Sequence, residues 1–139
     1  MSNDKAGTIV VGIDGSTQSI AAVKWAERYA KASGASLQLV IAWQHAMAYG
    51  QPMMFEGYHP ESDAQAVADK AKADLSLPAD RVETRTAEGS AGVVLVEASA
   101  GALALVVGSR GHSGVDSLLL GSVSSYCVHH ANCPVVIVR

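Results

Sequence analysis

Runs of apolar, mostly β-branched residues alternate with helix-forming stretches along the chain. Most of these runs lack polar–apolar alternation, so they predict strands that are buried on both faces. The third run alternates charged with β-favouring residues, which suits a strand at the edge of a sheet. Strand–helix alternation of this kind gives a parallel sheet with helices on both faces. The predicted strands are 8–13, Ser36–Trp43, 81–86, 102–107 and 134–138.

Four helices are predicted between these strands, and two of them carry clear signals at their ends. Ser16 or Thr17 can cap the first helix, and Gly34 can stop it. Ser62 and Gln65 fit a capping box at the start of the second helix. The first predicted helix follows a cap at Ser16 or Thr17 and runs to about Ser33, and the others are 62–75, 91–100 and 122–131.

Length, charge and cysteine content indicate the number of domains and exclude several classes of partner and site. A chain of 139 residues favours one domain, here residues 1–139. A net charge of −3 without a basic block argues against nucleic acid as a partner. No run approaches the roughly 20 apolar residues of a membrane span, and the polar start lacks a signal-peptide core, so a cytoplasmic location is expected. Cys127 and Cys133 have no zinc-ligand spacing and are interpreted as small buried hydrophobes.

The stretch from Gly108 to Ser122 joins the fourth predicted strand to the last helix and is rich in glycine. Glycines let backbone N–H groups approach an anion, and a helix N-terminus adds partial positive charge. Ligands of doubly wound sheets bind beyond the carboxyl ends of strands where the winding reverses. If the first and fourth strands are neighbours, this loop shares a crevice with the turn Asp14 to Ser16. We hypothesise that the loop holds the phosphates of a nucleotide.

The spacing of the glycines distinguishes between nucleotide motifs. No Gly-Lys-Ser/Thr closes the loop as in a P-loop, and no Gly-x-Gly-x-x-Gly follows the first strand as in a dinucleotide fold. The pattern is instead G-x2-G-x9-G-S, formed by Gly108, Gly111, Gly121 and Ser122. This pattern resembles the nucleotide signature of the universal stress protein family, in its ATP-binding branch. The segments 10–16, 106–111, 118–124 and 130–135 are similar to the same family, so the resemblance covers almost the whole chain.

The resemblance implies a fold and an adenine and ribose site. The fold is a Rossmann-like or flavodoxin-like doubly wound α/β sandwich, with a five-stranded parallel sheet of order 3-2-1-4-5 and four helices. Gly12 and Ile13 would line the adenine, and the backbone of Ala42 would bond its edge. Asp14 would lie near the ribose and a metal ion.

The resemblance also implies a phosphate site in the glycine loop. Members of this branch often carry Mg²⁺ with ATP, ADP or AMP, which is sensible because the ion offsets phosphate charge and prefers oxygen ligands. Asp14 would be the protein group nearest to that ion. The residues that would wrap the ribose and phosphates are Gly108, Gly111, Gly121, Ser122, Val123 and Ser124.

Each of these residues also has a purely structural interpretation. Asp14 could make a turn hydrogen bond, and the glycines could simply serve turns. Ser122 is a good N-cap, a role that is compatible with phosphate binding. Ser124 could equally be a surface serine. Arg110 and His112 could reach phosphate, but solvated surface is the favoured interpretation for both.

The sequence favours a nucleotide-binding regulatory protein of the stress response over an enzyme. Hydrolysis of ATP requires a positioned water, a metal and usually a Lys or Arg on the transferred phosphate. No catalytic base or nucleophile with a partner is evident, so at most slow hydrolysis is expected. The alternatives are a member that binds AMP or cyclic AMP, and a dimeric interaction module that binds no nucleotide. An adenylyl-transfer enzyme is a further alternative, but residues 15–20 lack its histidine-rich motif.

Two further features concern partners. The last strand, from Pro134 to Val138, is strongly apolar and suits an edge that pairs with another chain. In the family the corresponding strands pair to make a homodimer, so a homodimer is expected. The segment from Gln44 to His59 has no clear period and is long for a connection. It is interpreted as a loop over the sheet edge or as an interface.

Overall fold

A computed structural model describes residues 6–110 and 120–139. Within these residues, five strands form one parallel sheet and four α-helices connect them. The strands are β1 (Thr8–Gly12), β2 (Ser36–Trp43), β3 (Met47–Ala48), β4 (Gln51–Pro52), β5 (Val82–Glu88), β6 (Ala104–Gly108) and β7 (Val135–Val138). The helices are α1 (Thr17–Ser33), α2 (Pro60–Ala73), α3 (Ala91–Ala98) and α4 (Ser122–His130).

The predicted α/β class with a doubly wound parallel sheet is confirmed. The sheet has the order β5-β2-β1-β6-β7. The five predicted strands are β1, β2, β5, β6 and β7, and in their own numbering they take the order 3-2-1-4-5. The labels differ because β3 and β4 form a separate antiparallel pair that the sequence did not predict.

The side chains of β1 show how the sheet divides two apolar layers. Ile9 and Val11 belong to one buried cluster, together with alanines of α1 and α2. Val10 points to the other face and packs in a cluster with Leu95 of α3 and Cys127 of α4. Successive residues of a strand face opposite sides, so a strand covered on both faces must be apolar throughout. This explains the continuous run at the start of the chain.

The central position of β1 creates the point where the winding reverses. β1 pairs in parallel with β2 on one side, where Gly12 lies opposite Val40. On its other side it pairs with β6, where Val11 lies opposite Val106. The first and fourth predicted strands are therefore neighbours, which is the condition for a shared crevice. The carboxyl ends of β1, β2 and β6 lie at one edge of the sheet.

The capping box predicted for the second helix is wrong. α2 begins at Pro60, with His59 at the N-cap position. Proline is favoured in the first helical turn because its missing N–H is not needed there. The Ser62 hydroxyl donates to the carbonyl of His59 at 3.2 Å, and the Gln65 amide donates to Asp69 at 2.9 Å. Neither side chain bonds the other's backbone, so the proline start overrides the capping pattern.

The ends of α1 agree with the prediction. The backbone N–H of Ser19 donates to the Ser16 side chain at 3.2 Å, which makes Ser16 the cap. Gly34 ends the helix with a φ of 81°, a left-handed conformation that glycine adopts without steric cost. No helix in the described parts of the chain combines the length and apolar character that crossing a bilayer requires.

Candidate functional site

A crevice lies at the carboxyl ends of β1, β2 and β6, with a volume of about 190 Å³. Nine of the ten residues predicted to bind a nucleotide line it, and the tenth, Gly111, lies outside the described residues. The sequence-predicted residues that the structure brings together are Gly12, Ile13, Asp14, Ala42, Gly108, Gly121, Ser122, Val123 and Ser124.

Gly12 leaves space at the base of the crevice because it has no side chain. A Cβ at this position would lie 2.6 Å from Cδ1 of Leu95 and 3.2 Å from Cγ1 of Val107. Both neighbours also line the crevice. A larger residue at position 12 would therefore require the Leu95 side chain to move and would change the shape of the crevice that it lines.

Gly108 ends β6 where α1 packs against it. A Cβ on Gly108 would lie 2.8 Å from Cβ of Gln18 and 3.0 Å from the backbone carbonyl of the same residue. Backbone cannot move aside as a flexible side chain can, so this close approach requires glycine. The glycine allows the first turn of α1 to pack closely against the strand end.

Asp14 has the structural role that the sequence left open. The backbone N–H of Ser16 donates to Oδ1 of Asp14 at 2.9 Å, which forms a turn of the Asx type. The backbone N–H of Asp14 itself approaches the Ser19 hydroxyl at 3.3 Å. Asp14 also lines the crevice and is only half-buried, so its carboxylate faces both the turn and the open space.

The backbone of Ser109 joins three elements. Its N–H donates to the carbonyl of Val138 in β7 at 2.8 Å. Its carbonyl accepts the backbone N–H of Gly121 at 2.7 Å and the hydroxyl of Ser124 at 3.0 Å. These bonds fix the end of β6 against the start of α4. They hold Ser109 and Gly121 next to each other at the crevice.

Ser124 is buried, with 2% of its surface exposed, so its interpretation as a surface serine is wrong. Its single hydroxyl proton is shared between the carbonyls of Ser109 and Gly121. The oxygen keeps lone pairs that can accept a further bond. Ser124 therefore both joins Ser109 to the start of α4 and lines the crevice.

Gly121, not Ser122, occupies the N-cap position of α4. The helical ladder begins where the N–H of Ser125 donates to the carbonyl of Gly121 at 2.9 Å. The N–H groups of Ser122, Val123 and Ser124 precede this bond and point out of the helix start, as in every α-helix. Together with the helix dipole they make the crevice wall attractive to an anion.

Arg110 lines the crevice and is half-buried, whereas solvated surface was the favoured interpretation. Its side chain adds a positive charge to the lining of the crevice. His112 lies outside the described residues. The crevice thus has one acidic side chain, Asp14, and one basic side chain, Arg110, among its described lining.

Sequence reasoning missed several residues that complete the walls. Leu95 comes from α3, a helix that carried no motif, and Val107 comes from the interior of β6. Their only signal was apolar character, which equally fits any core position. The lining residues that the sequence did not predict as contacts are Ser19, Val40, Ala91, Leu95, Val107 and Arg110.

Neither cysteine takes part in the site. Cys127 lies on α4 and is fully buried in the apolar cluster that contains Val10 and Leu95. Cys133 is partly buried against the same cluster. Burial, with a smaller contribution from nearby Cys133, raises the pKa of Cys127 to about 11. Among residues 6–110 and 120–139, no group of three His, Cys, Asp or Glu side chains is arranged to hold a metal ion.

The fold and the crevice define a doubly wound α/β protein with an open site at the point where the winding reverses. A family model described as the universal stress protein family matches residues 5–139. The chain therefore belongs to the universal stress protein family.

Relatives and solved structures agree with this assignment. A universal stress protein of Mycolicibacterium smegmatis is 34% identical over 140 residues, which cover 94% of this chain and 47% of the relative. A universal stress protein of Thermus aquaticus is 34% identical over 136 residues, covering 95% and 98% of the two chains. The chain thus spans about half the length of the first relative and nearly all of the second.

Among solved structures, a universal stress protein in complex with cAMP superimposes with a TM-score of 0.70. It is 28% identical to this chain, and the match covers 95% of this chain and 96% of that one. The similarity extends over both layers of the fold.

Proposed function

We propose that this chain is a regulatory protein of the stress response that binds an adenine nucleotide, with ATP as its main ligand. One observation carries the proposal: the Ser109 backbone holds the loop end and the start of α4 together. This brings the N–H groups of the helix start to the crevice that also contains Gly12 and Asp14. An anion-binding helix end beside an apolar cleft is the combination that a nucleotide requires.

The proposed pose follows from the chemistry of the walls. Gly12, Ile13 and Ala42 form the apolar side, which suits adenine. The enclosed volume of about 190 Å³ is smaller than the ~300–1,000 Å³ of typical ligand pockets. The base and ribose would therefore fill the crevice, and the phosphates would extend along Gly121–Ser124 towards Arg110 and the loop.

Mg²⁺ is proposed to bind together with the phosphates. Asp14 is the acidic side chain among the described lining, and a carboxylate beside phosphate oxygens matches the oxygen ligands that Mg²⁺ prefers. The ion would neutralise the clustered phosphate charge. The described lining holds no pair of groups arranged to activate a water molecule, so we expect binding with at most slow hydrolysis.

We further propose that residues 1–139 act as one domain, in the cytoplasm, and as a homodimer through β7. β7 lies at the edge of the main sheet and pairs with β6 on its other side. Its four residues, Val135–Val138, are apolar and only half-buried. A clean monomer by light scattering at micromolar concentration would contradict the dimer.

Mass spectrometry of ligand released from the purified protein tests the function most directly. Titration calorimetry with ATP, ADP, AMP and cyclic AMP, with and without Mg²⁺, would then rank the ligands.

Two variants test the phosphate site. Gly111→Val and Gly121→Val should each abolish ATP binding and leave the fold intact. The φ of Gly121 is −70°, which any residue can adopt. Unchanged affinity in both variants would overturn the phosphate site.

Cyclic AMP is the second candidate ligand. The observation that favours it is the cAMP complex of the 28% identical universal stress protein. A cyclic phosphate would occupy the crevice without extending along the start of α4. Tighter binding of cyclic AMP than of ATP, insensitive to Mg²⁺, would favour this candidate.

A further inference from the structure

Residues 44–59 form a compact projection at the carboxyl end of β2. The strands β3 and β4 pair as a hairpin, and the N–H of Met53 donates to the carbonyl of Ala46 at 2.7 Å to close it. The N–H of Tyr58 donates to the carbonyl of Phe55 at 3.1 Å and forms a second turn. The segment therefore has its own hydrogen-bonded structure.

The tip of the hairpin presents a tyrosine. Tyr49 and Gly50 form its two-residue loop, with φ values of 54° and 75°. Positive φ at both central residues matches a type I′ turn, which usually contains Asn-Gly. A bulky residue rarely adopts this conformation. Here it carries an aromatic side chain that is fully exposed to solvent.

Aromatic rings support the base of the projection. The ring of His45 stands edge-on to Trp43 and to Tyr58, with centroid distances of 5.5 and 6.0 Å. Phe55 stacks on Tyr58 at 4.7 Å, and the Tyr58 hydroxyl accepts the N–H of Ala46. These contacts hold the segment in one arrangement.

Four large apolar side chains of this segment are exposed, and we call them the flap surface. Their exposed fractions are 60% for Met47, 104% for Tyr49, 77% for Met54 and 56% for Phe55. A cluster of exposed apolar residues marks an interaction site more often than scattered ones do. Methionine adapts to irregular apolar partners, and tyrosine is enriched at the centres of interfaces.

The charged residues of the flap segment and its flanks favour a basic partner. The chain carries no Lys or Arg between residues 32 and 69, and the acidic residues closest to the flap in sequence are Glu56, Glu61 and Asp63. Glu88 lies beside the base, 4.0 Å from Nδ1 of His45. Arg85, the basic residue of β5, pairs in register with Val40, deeper in the sheet than Glu88.

The acidic residues close to the flap in sequence, together with Glu88, disfavour two occupants. A second copy of the chain would bring the same acidic residues against themselves, and an anionic membrane would be repelled. Like charges that face each other across an interface disfavour association, whereas opposite charges favour it. These charges favour a binding partner that has an apolar face with basic residues beside it.

We propose that the flap surface docks an amphipathic segment of another protein that carries Lys or Arg beside its apolar face. A helix is the suitable form because its apolar stripe is flanked by the polar face. The methionines and Phe55 contact the stripe, Tyr49 reaches over it, and the carboxylates pair with the basic margins. This docking does not depend on the nucleotide proposal.

The test uses a labelled synthetic helix of leucines on one face and lysines on the other. Fluorescence anisotropy with the full chain should show saturable binding that weakens as salt is raised. Met54→Ser with Phe55→Ser should weaken binding by about tenfold or more, as should Glu56→Lys. The same helix with glutamates in place of lysines should not bind.

Matched controls separate docking from misfolding. Tyr49→Ser should weaken binding, whereas Tyr29→Ser, which removes an exposed tyrosine from α1, should not. Circular dichroism of each variant should match that of the parent.

Four results would overturn the proposal. They are no saturable binding at millimolar helix, equal binding of the acidic helix, capture by anionic vesicles, and a chain dimer that Met54→Ser dissociates.

Discussion

The backbone N–H of Gly121 and the carbonyl oxygen of Ser109 are joined by a hydrogen bond of 2.7 Å. Ser109 directly follows β6, and Gly121 directly precedes α4. Because the N–H of Ser109 also donates to the carbonyl of Val138, the side of the crevice that we propose to hold phosphate is connected to the edge strand β7. Ser109 bonds residues on both sides, so it links the proposed ligand site at Gly121 to the proposed dimer edge at Val138.

Gly12→Ala should reduce both the nucleotide affinity and the stability of the fold. The new Cβ would lie 2.6 and 3.1 Å from the two Cδ atoms of Leu95 and would require that side chain to move, which changes the shape of the crevice. We expect about a tenfold loss of affinity and a loss of about 1–3 kcal/mol in the free energy of unfolding. Calorimetry and urea denaturation measure the two quantities.

Leu95→Val provides the test of this mechanism, because valine lacks both Cδ atoms. The double variant Gly12→Ala, Leu95→Val should bind more tightly than Gly12→Ala alone, which is the non-additivity expected of neighbours. Gly7→Ala serves as the control, since no atom lies within 4 Å of its added Cβ. Additive effects of the two changes would show that Leu95 does not transmit the clash.

Asp14→Asn and Asp14→Ala should separate the turn from the charge. Asparagine can still accept the N–H of Ser16, whereas alanine cannot. Asp14→Asn should keep the thermal stability and lose the Mg²⁺ dependence of nucleotide binding. Asp14→Ala should also lose about 1 kcal/mol of stability. If Asp14→Asn retains the parent's metal dependence in calorimetry, the carboxylate has only the structural role.

Ser124→Ala and Ser122→Ala should differ in their effect on folding. The buried Ser124 hydroxyl bonds two carbonyls, so its loss should cost about 1 kcal/mol in the free energy of unfolding and also weaken binding. Ser122 is exposed, so its replacement should weaken ATP binding alone. Equal stability of the two variants in urea would contradict the role given to Ser124.

The thiol of Cys127 should make the protein less stable at alkaline pH. Its ordinary pKa of 9.0 is raised to about 11 by burial, so the unfolded chain releases this proton first. The contribution is fully present below pH 9 and is lost as the pH rises towards 11. Urea denaturation across this range should show a decline that is reduced in Cys127→Ala. Cys133→Ala, which alters a less buried thiol, should keep the decline.

The fold could be predicted from sequence because its strongest signals are local. The run at Thr8–Gly12 is apolar at every position, which requires cover on both faces of the sheet. Ser16 and Gly34 mark the ends of α1 by chemistry that acts within a few residues. The start of α2 could not be predicted, because Ser62 with Gln65 and Pro60 each favour a different first residue of the helix. The helix begins at Pro60.

The glycine spacing and Asp14 pointed to one crevice before their strands were known to be neighbours. What the sequence could not provide were contacts across long separations. Leu95 beneath Gly12 and Gln18 against Gly108 carry no signal in their own segments, because their importance comes from what packs on them. The hairpin at 47–52 escaped prediction because its turn places tyrosine where asparagine is usual.

The bond between Ser109 and Gly121 also fixes the distance that the chain between them has to span, whatever its length. With both ends held, the connecting chain needs only to reach from one to the other. In general, the closure entropy of a connection between two fixed points rises by only about 0.6 kcal/mol when its length doubles. We therefore expect insertions between Ser109 and Gly121 to change the stability of the sheet only slightly.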